Sequence, residues 1–445
     1  MASLDQPRLA AFQALMEIGG GAYAHVVLPK WLKQPGLGES DRRFITELVN
    51  GVCRERGVLD PIIAAAAGRP LETLQPAVIV ILRMLARQVL RMRVPHHSAV
   101  HTSVELAGQR VGERTRGLVN AVGHQIAARD FDQWAGELTA GMDDFGKLAF
   151  TTFHPRWIVA AYSKLLPAGE LEAALAQNNV PARTTLVLRP GLSDFIESGL
   201  LAAGTGFEAA RYSPYGGYYD GNPGRLAAVA DGGIGVQDEG SQLVALALSR
   251  VDARQGWWLD LCAGPGGKAA LLTGLALQDG SKLLASEIHP HRAELVKQNL
   301  RGYRGTCVVA DGRHGAWNTG SFTRVLADVP CTGLGALRRR ADARWRKSEA
   351  DLETLVPLQR ALLAAAVESA APGGVVAYVT CSPLGRETAE IVAAAEDGSF
   401  ELLQAGDYLP EVPDAATGPF VQLWPHRHGT DAMFLALLRK RGNPR

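Results

Sequence analysis

In PRLAAFQALMEI, AYAHVVLPKWL, DRRFITELVNGVCRERGVLDPII, PAVIVILRMLARQVLRM, SAVHTSVELAGQR and TRGLVNAVGHQIAARD the apolar residues return every three or four positions. That is the period of one helix face, so the chain is expected to be all helical to about residue 135. Pro76 and Pro95 suit helix starts, and Ser40 suits an N-cap with Asp41 and Arg42 in the first turn. Arg83, Arg87 and Arg91 recur at four-residue spacing, which predicts a basic stripe on a solvated helix face. The pattern then changes. FHPRWIVAAYSKLL and AGELEAALAQNN read as helices and ARTTLVLRP as a strand, ahead of a Gly-, Tyr- and Pro-rich stretch. Beyond about residue 255 short apolar runs alternate with helical periods: GWWLDLCAG, SKLLASEI, GTCVVADG, RVLADVP and GGVVAYVTCS as strands, FVQLWPH and AMFLALLRK as a closing antiparallel pair. Such alternation implies a mostly parallel, doubly wound α/β sheet. The division expected is 1–140 helical, 141–235 small and mixed, 236–445 α/β.

Composition narrows the class only a little. The chain has 445 residues, 47% hydrophobic and 20% charged, with a net charge of +1, so any polyanion must be met by a local patch. The start, MASLDQPRLAAFQALMEIGG, shows no basic-then-apolar leader. No run of about 18 apolar residues occurs, so no membrane span is expected. Five scattered cysteines argue for reduced thiols and a cytoplasmic protein rather than a disulfide framework. No C-x-x-C pair or zinc spacing exists. His97 and His101 could share a helix face but lack a third ligand, so no metal is expected.

Chemistry gathers at the ends of the α/β strands, where such sheets bind ligands. DLCAGPGGKAALL is strand, Gly-rich turn and helix. Gly264, Gly266 and Gly267 would let a ligand approach the backbone, with free N–H groups at the helix start. The spacing is neither G-x-G-x-x-G nor Walker-type, since Ala269 follows Lys268. Glu287 ends the second strand and could hold a ribose diol. Asp311 ends the third and could accept from an adenine amino group. A lone acid there is often only a turn former, but three strand ends in sequence favour a nucleoside with a short tail, such as S-adenosylmethionine. Asp328 and Cys331 follow the fourth strand, in DVPCTGLG, and Cys381 the fifth, in TCSP, so both thiols should face one pocket. A thiolate is a strong nucleophile.

CAGPGGKAALL, ADGR, DVPCTGLGALRRRADARW and TCSP together resemble the bacterial ribosomal RNA cytosine-5 methyltransferases of the RsmB/Sun/Fmu type. The likeness covers nearly the whole chain. DRRFITELVNGVCRERGVLD and VPHHSAVHTSVELA resemble the NusB-like RNA-binding domain of that family, and VQDEGSQL resembles the lead into its catalytic domain. The resemblance implies a Rossmann-like class I methyltransferase domain behind an all-α NusB-like domain and a small mixed module. It implies S-adenosylmethionine held by Cys262, Ala263, Gly264, Pro265, Gly266, Gly267, Lys268, Glu287, Asp311 and Asp328. It makes Cys381 the nucleophile at carbon 6 of cytosine, Asp328 the group that stabilises the adduct, and Cys331 the group that aids release. Ala269 stands where the family commonly has threonine, Glu287 where it has aspartate, and RRADARW replaces a His-Pro-Asp run.

The target base must leave its stack to react. Arg338, Arg339, Arg340, Arg344, Arg346 and Lys347, with Trp345 among them, are expected to meet single-stranded ribosomal RNA. A solvated charged loop is the plain alternative. Three other readings stay open: methylation of another RNA, a non-catalytic RNA-binding or assembly factor, and a nicotinamide-dependent dehydrogenase. The intact Asp328, Cys331 and Cys381 set opposes the second, and the irregular glycine spacing opposes the third.

Overall fold

The computed structural model describes residues 5–442 apart from 168, 197 and 203. It divides into two compact units: Met1–Val180 with Leu337–Ser348, and Pro181–Ala336 with Glu349–Arg445. Residues 141–235, expected as a small mixed module, are shared between the two units. Their helices, Asp144–Thr151, Arg156–Ser163 and Leu171–Gln177, belong to the first unit and their strands to the second.

The first unit is helical, as the periodicity predicts. Helices Glu39–Ala67 and Pro76–Arg91 face their apolar stripes inward, and Ile45, Leu48, Ile62, Ile81 and Leu85 are fully buried. Pro76 occupies the first helical position. The cap expected at Ser40 lies at Gly38, whose N–H donates to Asp41 Oδ2 at 2.9 Å, because a carboxylate three residues inside the helix can reach back. The arginine stripe is not solvated. Arg83 forms a two-pronged bond to Asp60 at 2.6 and 2.7 Å. Arg87 is buried against Glu47 and Glu55. Arg91 lies over the Phe131 and Phe153 rings. Periodicity placed these cations on one face; only the fold shows acids and rings waiting there.

The basic run also departs from expectation. Arg344 is fully buried and donates to Phe153 O at 3.0 Å, Asn179 Oδ1 at 2.6 Å and Asn178 O at 3.2 Å. Burial pulls its guanidinium down to about 9. Arg346 donates to Gly21 O at 2.7 Å, Ile18 O at 3.1 Å and Ala22 O, and pairs with Asp342 at 2.8 Å. Trp345 donates to Arg54 O at 2.9 Å, and its ring lies so close over Gly57 that a Cβ there would sit 2.1 Å from it. The backbone carbonyls that receive Arg344 and Arg346 lie at or just beyond helix C-termini, which leave acceptors unpaired and attract cations. Arg344 and Arg346 are therefore capping groups of the helical unit, and Arg338 is buried too. Arg339 and Lys347 are half-buried, and Arg340 is exposed.

The second unit holds two sheets. β1 (Thr185–Leu188), β2 (Phe207–Ala209), β3 (Gly216–Tyr219) and β4 (Ile234–Val236) form an antiparallel sheet in the order β2-β3-β1-β4. It is joined to the rest of its unit by Arg189, which donates to Asn299 Oδ1 at 2.6 Å, and by Gln242, which donates to Leu186 O at 3.1 Å. The larger sheet contains β5 (Trp257–Asp260), β6 (Lys282–Glu287), β7 (Thr306–Val309), β8 (Phe322–Asp328), β9 (Ala370–Thr380), β10 (Phe400–Leu402), β11 (Ala416–Thr417), β12 (Phe420–Gln422) and β13 (Phe434–Lys440). β7-β6-β5-β8-β9 run parallel, and β13 closes antiparallel on β9 and pairs with β12. The near-continuous apolar runs of β8 and β9 are buried on both faces, as a covered parallel sheet requires. The chain turns back between β5 and β8, which opens a crevice at their carboxyl ends. Among the described residues no helix is long and apolar enough to cross a membrane, and no His/Cys/Asp/Glu group suits a metal ion.

Candidate active site

Each predicted site residue of the α/β unit lies at or just past the end of a parallel strand, and the fold brings two groups of them together. The first group surrounds the turn between β5 and the helix Gly267–Gln278. Gly264 N–H donates to Glu287 Oε2 at 3.1 Å, Glu287 Oε1 accepts from His289 N at 2.9 Å, and Asn299 holds Pro265 O at 2.9 Å. A Cβ on Gly264 would sit 2.1 Å from Glu287 Oε2, so any larger residue must displace that carboxylate. Glu287 is 3% exposed and thus braces the turn as well as ending β6. Asp311 accepts from Arg313 N at 3.0 Å and is paired with the Arg313 guanidinium, which holds its carboxyl down at about 2. Ala263 is buried, and burial pushes the half-exposed Cys262 thiol well up.

The second group lies at β8 and β9. Register pairs Asp328 with Val379, which sets the two following loops side by side. The Cys331 and Cys381 sulfurs are 3.4 Å apart. Gly335 N donates to Cys381 O at 2.9 Å, and Gly335 O accepts from Ala432 N at 2.9 Å, so backbone bonds hold the PCTG loop against the TCSP loop. Lys268 Nζ donates to Asp328 Oδ2 at 2.7 Å, joining the two groups. Burial pulls the Lys268 ammonium down, but Asp328, Cys381 and Asp260 outweigh it, and its pKa ends above the ordinary lysine value. The Cys331 thiol is pushed far up by its hydrogen bond to Cys381, then by burial, by Cys381's charge and by Glu387 and Asp328.

Two acids escaped the sequence reading. Asp260, the last residue of β5, is 1% exposed, and neither carboxylate oxygen finds a hydrogen-bond partner among the described residues. Burial, with Asp328 nearby, pushes its carboxyl up to about 8. The signal for it is an acid inside the apolar run WWLDLCAG, two residues before Cys262. Glu387, beyond TCSP, is fully buried beneath the thiol loops. Its place in GRETAEIV reads as the polar face of a helix, so the sequence gives no sign of it.

A glycine turn, strand-end acids and paired thiols at the switch point of this sheet define a Rossmann-like methyltransferase domain, with a NusB-like helical domain before it. The model of the family described as 16S rRNA methyltransferase RsmB/F matches residues 245–439, and that of the NusB family matches 5–127. A protein of Mycobacterium tuberculosis strain H37Rv, named only as a candidate methyltransferase, is 49% identical across 98% of this chain and 97% of its own length. The ribosomal RNA small subunit methyltransferase B of Sodalis glossinidius is 31% identical across 92% of each chain. The crystal structure of PH0851 shares the fold, with a TM-score of 0.82 at 20% identity over 99% of this chain and all of that one. The chain belongs to the RsmB/F family of ribosomal RNA methyltransferases.

Proposed function

We propose that the protein transfers a methyl group from S-adenosylmethionine to carbon 5 of a cytosine in small-subunit ribosomal RNA, working in a reducing cytoplasm through a covalent cysteine adduct. The observation that carries this reading is the pair of sulfurs 3.4 Å apart beside the Lys268–Asp328 ion pair at adjoining strand ends.

The turn fits the cofactor. Gly264 and Gly266 leave the backbone open, Cys262, Ala263, Pro265 and Gly267 complete the cradle, and Glu287 and Asp311 stand at the next two strand ends for the ribose and adenine. The orphaned oxygens of Asp260 are acceptors suited to the cofactor's ammonium. When bound, S-adenosylmethionine supplies an electrophilic methyl group on a sulfonium. Cys381 forms the bond to carbon 6 of the base, and the carbon 5–carbon 6 electron pair moves onto carbon 5, where the methyl group is accepted. Asp328 accepts from the exocyclic amine and, with Lys268, balances the charge that develops on the ring. For release, Cys331 takes the carbon 5 proton and passes its own proton to Cys381. The pair left on carbon 5 rebuilds the double bond as the carbon 6–sulfur bond breaks, and both sulfurs end as thiols. Loss of one proton to solvent restores the Cys381 thiolate. Arg340, which is exposed, is the cation of this run offered to the RNA backbone.

The reading is tested by incubating purified protein with unmodified 16S ribosomal RNA, free and in small subunits, followed by bisulfite sequencing. One cytosine should become protected in a cofactor-dependent way. Absence of any protected cytosine in both substrates overturns the reading. Gly264→Ala should weaken cofactor binding by about tenfold or more, because its Cβ must push aside the buried Glu287 carboxylate assigned to the ribose. Calorimetry reads this directly, and unaltered affinity in Gly264→Ala removes the turn from the cofactor site.

A further inference from the structure

Behind the thiols lies a carboxylate that the proposed mechanism does not use. Glu387 ends the short turn Gly385–Glu387 and is fully buried. Thr332 N donates to its Oε1 at 2.8 Å, Gln359 Nε2 donates to the same oxygen at 3.0 Å, and the Thr332 hydroxyl donates to Oε2 at 2.5 Å. The Gln359 amide also donates to Pro330 O at 2.9 Å. The Thr332 hydroxyl lies 3.3 Å from Ser382 Oγ, and Tyr378 OH donates to Glu387 O at 2.9 Å. The residues on both sides of Cys331, Pro330 and Thr332, are thus tied to Gln359 and Glu387, and Ser382, after Cys381, meets the same Thr332 hydroxyl. Oε1 accepts from two N–H groups, as a carboxylate oxygen does, and Oε2 pairs with the Thr332 hydroxyl.

A buried charge is costly where an apolar group of the same shape would serve to hold a loop. The charge therefore calls for a reason, and its surroundings supply one. Cys331 is faced by Cys381, Glu387 and Asp328, and Tyr378 lies near both Cys331 and Glu387. The Lys268 ammonium is faced by Cys381, Asp328 and Asp260. The thiol pair thus has a cation on its Cys381 side and an anion behind Cys331. A proton shared between two sulfurs goes to the one nearer the negative end, and the thiolate forms nearer the positive end.

We propose that Glu387 is a positioning residue that fastens the two cysteine loops together and keeps the shared proton on Cys331, leaving Cys381 as the attacking sulfur. The proposal rests on Cys381 being the nucleophile, and it explains why two neighbouring cysteines do not exchange roles.

Iodoacetamide labelling of each thiol, followed peptide by peptide across neutral and alkaline pH without RNA, tests it. In the wild-type protein Cys381 should label at lower pH than Cys331, and the reverse order overturns the proposal outright. Glu387→Gln keeps the size and removes the charge. The ratio of Cys331 to Cys381 labelling should rise at least several-fold, with kcat reduced and the KM values for RNA and cofactor little altered. A wild-type labelling ratio in a variant with wild-type melting leaves Glu387 merely structural. If Glu387→Gln does not fold, Thr332→Val serves. It keeps the charge and cuts the hydroxyl tie, so Cys381 should still label first while kcat falls; labelling of Cys331 first, or an unchanged kcat, overturns the proposal. Adduct formation with RNA is scored separately. An intact Cys381 adduct beside an unmoved labelling ratio sinks the role of Glu387 alone, whereas no adduct at either cysteine sinks the reading beneath it.

Discussion

Cys331→Ala, incubated with RNA and S-adenosylmethionine, should accumulate a protein–RNA adduct that survives a denaturing gel, and Cys381→Ala should form none. The asymmetry follows from the order of events on two sulfurs 3.4 Å apart. Without Cys381 no bond to carbon 6 forms, so nothing can be trapped and turnover should vanish. Without Cys331 the attack and methyl transfer still proceed, but the carbon 5 proton has no positioned acceptor and the departing sulfur no proton. Loss of a positioned proton-transfer group slows a step by about 10²–10⁴-fold, enough for the preceding intermediate to build up. Both variants should fold. Each thiol is only part-buried, and cysteine to alanine removes one sulfur, a cost of about 1 kcal/mol. An adduct from Cys381→Ala and none from Cys331→Ala reverses the roles. Full activity in both variants ends the covalent mechanism.

Arg344→Ala should destabilise the helical unit by about 3 kcal/mol, since it strands two buried acceptors and a part-buried one that cost roughly 1–3 kcal/mol each unpaired, offset in part by removal of a buried charge. For a unit of this size that lowers the melting temperature by about 2–4 °C per kcal/mol. Arg340→Ala, at an exposed position, should leave melting unchanged and reduce the salt slope of RNA binding by about one, as expected for one lost phosphate contact. The two variants in the same melting and salt-titration experiments separate a capping arginine from a phosphate-binding one. Wild-type melting with a reduced salt slope in Arg344→Ala would return that residue to the RNA face.

The contrast between these two arginines shows what can be read from the chain. RRRADARWRK displays charge density and nothing of what receives it. Arg344 and Arg346 find helix-end carbonyls from residues far away in sequence, contacts without any local signature. The stripe of Arg83, Arg87 and Arg91 departs from its expected solvated face for the same reason: helical period puts the three on one face, but Asp60, Glu55 and the Phe131 and Phe153 rings reach them only through packing. The domain boundary at Val180 depends likewise on where the helices after residue 140 find their core.

The sequence by itself determined the helical first third, the parallel sheet and the strand-end positions of Gly264, Glu287, Asp311, Asp328, Cys331 and Cys381. Period, strand length and turn chemistry are local properties, and a doubly wound sheet places the ends of its parallel strands on one rim whatever the loops do. Tertiary structure alone decided the rest. It set the 3.4 Å between the sulfurs, joined Lys268 to Asp328, buried Asp260 with no side-chain partner among the described residues and put Glu387 behind Cys331. Those are facts of distance and burial. They come from register between strands and from loops that meet across the sheet, and the energies that make a thiol a nucleophile or a proton carrier depend on just such distances and burial.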